Sequence, residues 1–270
     1  MIEHEPGSSR SAGDLVERFH EARRSASLVI LEGFHPLKHA LRFEAEIIEA
    51  VTADPERVGD LARALAPDLI GRFEAVLRTV PPEHFERLVP TPPPTGVVAI
   101  ARRPATGIAD VLGQPGEAPV VLLENPSRLG NLGAAIRAAA AAGAAGALAI
   151  GRHDPWHPEA IRGGAGLQFA LPVARIDALP IEGFPGGRPL VAVHPAGEPL
   201  RPERIPSGAL LAFGSERHGL SPDLLEKADR RLAIPMRSGV SSLNLASAVA
   251  VVLYAWRLDR GGGSPILLRE

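Results

Sequence analysis

Val121-Leu-Leu-Glu-Asn-Pro-Ser-Arg-Leu-Gly-Asn-Leu-Gly-Ala-Ala-Ile-Arg137 is the stretch whose reading decides the fold. A short apolar run without polar alternation predicts a strand buried on both faces, as in a parallel sheet. A polar, glycine-containing loop follows, and then an alanine-rich helix. Asn131 and Gly133 sit at the predicted junction of loop and helix, where backbone N–H groups lack helical partners and can meet an anion. Arg137 lies one helical turn beyond Gly133, so its guanidinium can point back to the same cleft. An ordinary strand-to-helix turn with a surface arginine fits the same letters. The stretch is not a P-loop, because the Lys-Ser/Thr pair is missing, and it is not GxGxxG.

Two later segments share this strand-then-loop grammar. Leu210-Leu-Ala-Phe-Gly-Ser-Glu-Arg-His-Gly-Leu-Ser221 reads as a buried strand that ends at Gly214. The carboxyl edges of such strands are where open α/β sheets place ligands. Gly214 permits close approach to backbone, Glu216 follows at once, and Gly219 permits a left-handed turn. Ser221-Pro222 starts a helix, while His218 reads as a solvated loop histidine. Leu232-Ala-Ile-Pro-Met-Arg-Ser-Gly-Val-Ser-Ser-Leu-Asn244 is a strand broken at Pro235, then an irregular loop leading into an apolar helix to Leu258. Ser242 or Ser241 is the expected cap of that helix, with Asn244 a second polar group at its start. Met236 serves equally as core filler or ligand contact.

Around these segments the chain reads as two α/β domains. A tail over 1–13 precedes a basic helix from Asp14 to about Ala26, a strand from Ser27 to Leu31 ending at Glu32-Gly33, a helix from His35 to Phe43 and a strand from Glu46 to Val51. Asp54-Pro55 opens the next helix. A further strand-and-helix pair is expected up to Leu88, and a strand from Val97 to Ala101 closes this first domain, 14–103. Residues 104–117, rich in Pro and Gly, are the expected linker; 118–262 form the second domain, and 263–270 a tail.

The 270 residues, 45% of them hydrophobic, can bury sizeable cores. Absence of cysteine excludes disulfides, thiolate zinc sites and a cysteine nucleophile. No His/Asp/Glu set stands at ligand spacing, so no metal is expected. No apolar run is long enough to span a membrane, and the first residues lack a signal-peptide layout, so a cytoplasmic location is expected. Net charge is −2, which gives no blanket attraction to nucleic acid. Up to Asp110 there are 13 basic and 17 acidic residues; beyond it, 16 and 14. Any RNA or DNA contact must therefore come from local clusters, such as Arg18/Arg23/Arg24 or Arg128/Arg137/Arg162. Arg18, Arg23, Arg24 and Lys38 are candidate phosphate contacts of the first domain, with a solvated helix face as the alternative. Asp154-Pro-Trp-His-Pro158 is either a turn with one packed aromatic or a place where Trp156 or His157 meets substrate.

Asn131-x-Gly133-x-x-x-Arg137, Gly214-Ser-Glu216-x-x-Gly219, and Ile234-Pro-Met236 with Ser242-Leu-Asn244 together resemble the three motifs of the SpoU (TrmH-like) family of SPOUT-class RNA methyltransferases, over about residues 118–260. More softly, the first domain resembles that family's substrate-binding domain. The resemblance implies a C-terminal α/β domain with a mainly parallel sheet and a deep trefoil knot, preceded by a small α/β domain. It implies S-adenosylmethionine as cofactor, a homodimer with the site near its interface, and methylation of a ribose 2′-hydroxyl in rRNA or tRNA. It assigns catalysis to Arg137, Asn131, Glu216, Ser242 and Asn244, and cofactor binding to Gly214, Gly219, Ile234, Met236 and Leu243. A guanidinium rarely gives up its proton, so Arg137 is better read as fixing a phosphate and stabilising negative charge on oxygen. Gly164 stands where the family often has serine, which bears on the substrate more than on the reaction. The rival readings are a non-catalytic RNA binder on the same scaffold, a base methyltransferase, and an unrelated nucleotide-binding α/β protein.

Overall fold

The computed structural model describes residues 12–177 and 187–260. Of the tail read at 1–13, residues 1–11 lie outside the described residues while 12 and 13 already belong to the first helix; the tail read at 263–270 also lies outside them. The chain divides into two compact units, 1–103 and 104–270.

In the first unit, α1 (Ala12–Arg24) leads to β1 (Leu28–Glu32), α2 (Phe34–Arg42), β2 (Ile47–Thr52) and α3 (Pro55–Leu65). Asp54 caps α3 by accepting from the Arg57 N–H at 2.9 Å, and Pro55 occupies the first helical position, where no N–H is needed. The expected strand before Leu88 proves to be mostly helical. A 3₁₀ turn (Pro67–Leu69) and α4 (Ile70–Val76) run into a three-residue β3 (Leu77–Thr79), then the short α5 (Pro82–Phe85). Its apolar residues are too widely spaced for a strand, and Phe73 goes instead under α2, its ring stacked 5.1 Å from that of Phe34. β4 (Val97–Arg102) completes a sheet of order β1-β4-β2-β3, in which β4 runs antiparallel to both neighbours and β2 parallel to β3. Leu15, Phe19 and Ala22 of α1 bury against Ile30, Val51, Val98 and Ile100 of the sheet.

The second unit begins with α6 (Ile108–Leu112), inside the stretch read as linker. Val111 and Leu112 are buried in the same core as Val120, Leu122 and Leu148. Arg188 explains how a Pro/Gly-rich segment is held there. Its guanidinium donates to four carbonyls: Leu112 at 2.8 Å, Gln114 at 2.5 Å, Ala118 at 3.2 Å and Gly208 at 2.8 Å. Lysine cannot span that fork. Arg188→Lys is expected to destabilise the second unit by about 2 kcal/mol, since several charge-assisted bonds to buried carbonyls are lost. Both tryptophans, Trp156 and Trp256, lie in this unit and are buried, so fluorescence-monitored denaturation measures it alone. An unchanged midpoint would refute the stapling role.

β5 (Val120–Glu124), α7 (Leu129–Ala142), β6 (Gly146–Ile150), α8 (Pro158–Gly163), a 3₁₀ turn (Leu167–Ala170) and β7 (Val173–Ile176) follow. Beyond them come β8 (Leu190–Pro199), β9 (Leu210–Phe213), α9 (Pro222–Lys227), β10 (Arg230–Ala233) and α10 (Leu245–Asp259). The sheet order is β10-β8-β9-β5-β6-β7, and every pair is parallel. All residues of β5, β6 and β9 are buried, which accounts for strands without polar alternation. The chain winds from β5 outward through β6 to β7, then returns to build β8 and β9 on the other side of β5. The β5/β9 boundary is therefore the topological switch point, where the loops leaving two neighbouring strands diverge and open a crevice. α7 packs on both α8 and α10. Arg257 of α10 donates to the Ala142 carbonyl at 3.0 Å, closing the C-terminal end of α7. Among the described residues, no helix is long and apolar enough to cross a membrane.

Candidate functional site

Two adjoining clefts open at the switch point. The polar one, about 740 Å³, is lined by the loop after β5, Arg152 after β6, the loop after β9 and the residues preceding α10. The other, about 660 Å³, lies between the ends of β8, β9 and β10. Its walls are mainly apolar: Phe213, Ile234, Met236, Val240, Leu243 and Leu245. Ser215, Glu216, Ser242 and Leu243 belong to both clefts and mark where they meet.

Glu216 is the hub. Its Oε2 accepts from the Ser127 backbone N–H at 2.9 Å and the Ser127 hydroxyl at 2.7 Å, while its Oε1 accepts from Asn131 Nδ2 at 2.5 Å. Asn131 Oδ1 in turn accepts from Asn244 Nδ2 at 3.3 Å. Asn244 Oδ1 accepts from the Ala246 N–H at 2.9 Å and so caps α10. The cap is therefore Asn244, and neither Ser241 nor Ser242, because Asn244 is the residue directly before the first helical turn. Three loops far apart in sequence are tied through one carboxylate and two amides.

Partial burial acts to raise the Glu216 pKa, but the bonds from Asn131 and from the Ser127 amide and hydroxyl outweigh it and hold the carboxyl at about 2. Because the folded pKa is depressed, this stabilisation is complete above about 4.5, the usual value, and is lost as pH falls through about 2. The gap in thermal midpoint between wild type and Glu216→Gln is expected to narrow as pH falls from 4.5. A gap that stays constant down to the acid limit would contradict the hydrogen-bonded carboxylate.

The two motif glycines have a structural reason that the letters conceal. Gly133 lies within α7, beyond the free N–H groups of its first turn, and is not at the anion-binding junction. A Cβ there would collide with the Ala160 carbonyl oxygen of α8 and approach the Gly164 nitrogen to 2.7 Å. Gly214 likewise faces backbone, not open cleft: a Cβ would overlap the Gly219 carbonyl and the Leu220 nitrogen. Ser215 and Gly219 exchange N–H···O bonds of 3.0 Å in each direction, and this turn presses against Gly214. Both Gly214 and Gly219 border the apolar cleft.

Arg137 is exposed on α7 and lines neither cleft. The sequence reading that turned it into the cleft beside Gly133 does not hold within one copy, because Gly133 itself packs on α8 and lines neither cleft, so a side chain one turn along the same face is not brought to one. Trp156 is packed, 3% exposed, edge-on to Phe169 with ring centroids 5.1 Å apart. His157 caps α8 by accepting from the Glu159 N–H at 3.2 Å. In the first unit, Arg18 pairs with Glu49 and Arg23 with Glu32, each at 2.6 Å. Lys38 is also engaged, while Arg24 donates to the His20 carbonyl at 3.3 Å and is exposed.

Sequence reasoning missed Ser127, although a hydroxyl beside Pro126 in a loop leaving a buried strand was a usable signal. It also missed Glu124, a 5% exposed carboxylate at the end of β5 that accepts from the Ser221 N–H at 2.7 Å. A charged residue ending an otherwise apolar strand marks a place where another loop must bring a donor.

Residues 118–254 match the SpoU rRNA methylase family. A 23S rRNA guanosine 2′-O-methyltransferase, RlmP of Bacillus subtilis, is 26% identical over 243 residues, 87% of this chain and 90% of that protein. An uncharacterized tRNA/rRNA methyltransferase of Synechocystis is 37% identical over 149 residues; the match covers 53% of this chain and 54% of that protein, about half its length. The crystal structure of an AdoMet-bound rRNA methyltransferase from Sinorhizobium meliloti superposes with a TM-score of 0.70 at 26% identity, over 96% of this chain and 98% of that one.

Proposed function

Because the chain belongs to the SpoU rRNA methylase family, we propose that it transfers a methyl group from S-adenosylmethionine to a ribose 2′-hydroxyl of rRNA or tRNA. The observation that carries this reading is the pairing of clefts. An apolar cleft suited to an adenosyl and methionyl group adjoins a polar cleft suited to a nucleotide, and the two meet at Ser215, Glu216 and Ser242. The apolar cleft fits the cofactor chemically: flat apolar walls are flanked by the irregular 234–244 backbone, whose N–H and C=O groups can bond an adenine edge. In this proposal Ile234, Met236 and Leu243 hold the cofactor, with Gly214 and Gly219 shaping the turn beside it. When bound, the cofactor supplies an electrophilic methyl group. The protein's part is to orient the ribose hydroxyl and exclude competing water. Glu216, Asn131 and Asn244 fix the loops, and Ser242 lies where the two clefts meet.

The family's trefoil knot, a cytoplasmic location and a homodimer belong to the same proposal. The dimer is supported by an exposed stripe on α10, where Val251, Tyr254 and Leu258 are 42%, 40% and 75% exposed at helical spacing. A role for the exposed Arg137 at the reacting centre runs through that dimer, one copy offering its arginine to the site of the other.

The test is calorimetry with S-adenosylmethionine, followed by incubation with rRNA and tRNA and alkaline hydrolysis. Wild type and Arg137→Ala are expected to bind the cofactor equally, and Ile234→Asp to lose it. Only wild type among them is expected to leave a linkage resistant to alkali, because a 2′-O-methyl blocks cleavage at that nucleotide. Methylated RNA without a resistant linkage would point to a base acceptor and overturn the ribose assignment; cofactor binding without methyl transfer to any RNA would overturn the enzyme.

A further inference from the structure

Many of the protein's arginines are engaged internally. In the first unit Arg18, Arg23, Arg42, Arg63, Arg78 and Arg102 are each paired with a carboxylate. In the second, Arg175, Arg204 and Arg260 are paired likewise, and Arg188 and Arg257 are spent on backbone carbonyls. Arg57, Arg87, Arg128, Arg137, Arg152, Arg201, Arg217 and Arg237 are exposed without such a partner among the described residues, and of these only Arg128, Arg152 and Arg217 line the polar cleft. These three come from three different loops, after β5, β6 and β9. The adjoining apolar cleft has no arginine. The one carboxylate facing the polar cleft, Glu216, already accepts three hydrogen bonds.

We propose that Arg128, Arg152 and Arg217 form a clamp for the phosphodiester backbone of the RNA strand entering the polar cleft, and that this clamp, not the first unit's helix α1, supplies the main electrostatic grip on the substrate. The inference rests on the RNA methyltransferase reading above and names the residues that hold the substrate there. Unpaired guanidiniums around a cleft are a standing electrostatic cost, because like charges repel; a polyanion with spaced phosphates relieves it, and arginine's planar fork matches phosphate oxygens in pairs. Their placement on separate loops suits successive phosphates along a strand better than one compact anion. α1 is a poorer candidate because Arg18 and Arg23 would have to give up Glu49 and Glu32 first.

The test compares wild type, the triple variant Arg128→Gln/Arg152→Gln/Arg217→Gln, and Arg24→Gln, using a fluorescently labelled mixed-sequence single-stranded RNA. Anisotropy is measured across a salt series, and S-adenosylmethionine affinity by calorimetry on the same proteins. Loss of three phosphate contacts is expected to make the log K against log salt slope shallower by about 2 and to weaken binding about 100-fold at 0.1 M salt. Cofactor affinity is expected to stay unchanged, and Arg24→Gln to behave as wild type. In methyl transfer the triple variant is expected to raise KM far more than it lowers kcat. If the triple variant keeps the wild-type slope, the clamp is refuted while RNA methylation stands. A steeper loss in Arg24→Gln than in the triple variant would hand the grip to α1 and also refute it. Wild type that binds no RNA at any salt would overturn both the clamp and the methyltransferase reading.

Discussion

Glu216→Gln is expected to lower kcat for methyl transfer by about 100-fold, with the affinity for S-adenosylmethionine changed far less. The carboxylate is acceptor-only, and the groups around it are all donors: the Ser127 N–H, the Ser127 hydroxyl and Asn131 Nδ2. A glutamine keeps one acceptor oxygen and replaces the other with an NH₂ group, which must face one of these donors. Turning Asn131 over to offer its oxygen does not help, because its Nδ2 would then face Asn244 Nδ2. Turning Asn244 as well would remove the oxygen that caps α10 at the Ala246 N–H. Every rearrangement leaves a polar group unmatched somewhere in the chain, and each such loss at a charged acceptor costs about 1.5–3 kcal/mol. The cost falls on the alignment of three loops where the clefts meet, and a displacement of about 1 Å there is worth about two orders of magnitude in rate. Steady-state kinetics would show whether kcat carries the loss. Activity within threefold of wild type would mean that the network is not what positions the reacting groups.

Gly133→Ala is expected to destabilise the second unit, although alanine is the better helix former. The propensity gain is about 1 kcal/mol. Against it stands the collision of the new methyl with the Ala160 carbonyl oxygen and its approach to the Gly164 nitrogen at 2.7 Å. Both are backbone atoms, so no side chain can rotate away, and overpacking of this kind costs about 3 kcal/mol. Gly163 reinforces the contact from the other side, since a Cβ there would meet the Gly130 carbonyl oxygen at 2.6 Å. The net of about 2 kcal/mol corresponds to a fall of roughly 6 °C in the melting of a unit of this size. Trp156 and Trp256 fluorescence follows that unit specifically. A melting temperature at or above wild type would mean that α7 and α8 can separate at no cost, and the close packing would then not be the reason for glycine.

The sequence by itself determined the layout of the second unit. Continuous apolar runs such as Val120–Leu123 and Leu210–Phe213 can only be buried on both faces, and glycine loops followed by alanine-rich helices leave parallel connection as the economical arrangement. It also marked out Asn131, Glu216 and Asn244, since polar residues at the ends of buried strands and the starts of helices need partners. Tertiary structure alone decided what those residues do to one another. Their separations of 85 and 113 positions are closed by the β5/β9 switch point, a long-range pairing that no local pattern encodes. The same holds for the role of the glycines, which depends on which backbone passes within contact distance. It holds for the segment 104–117 as well: Pro and Gly made it look like a tether, and a single arginine more than 70 residues later binds its carbonyls to the core. For charge the division is sharpest. Composition counts arginines, but whether one is available to an anion depends on whether a carboxylate has folded against it, and that separates Arg18 and Arg23 from Arg128, Arg152 and Arg217.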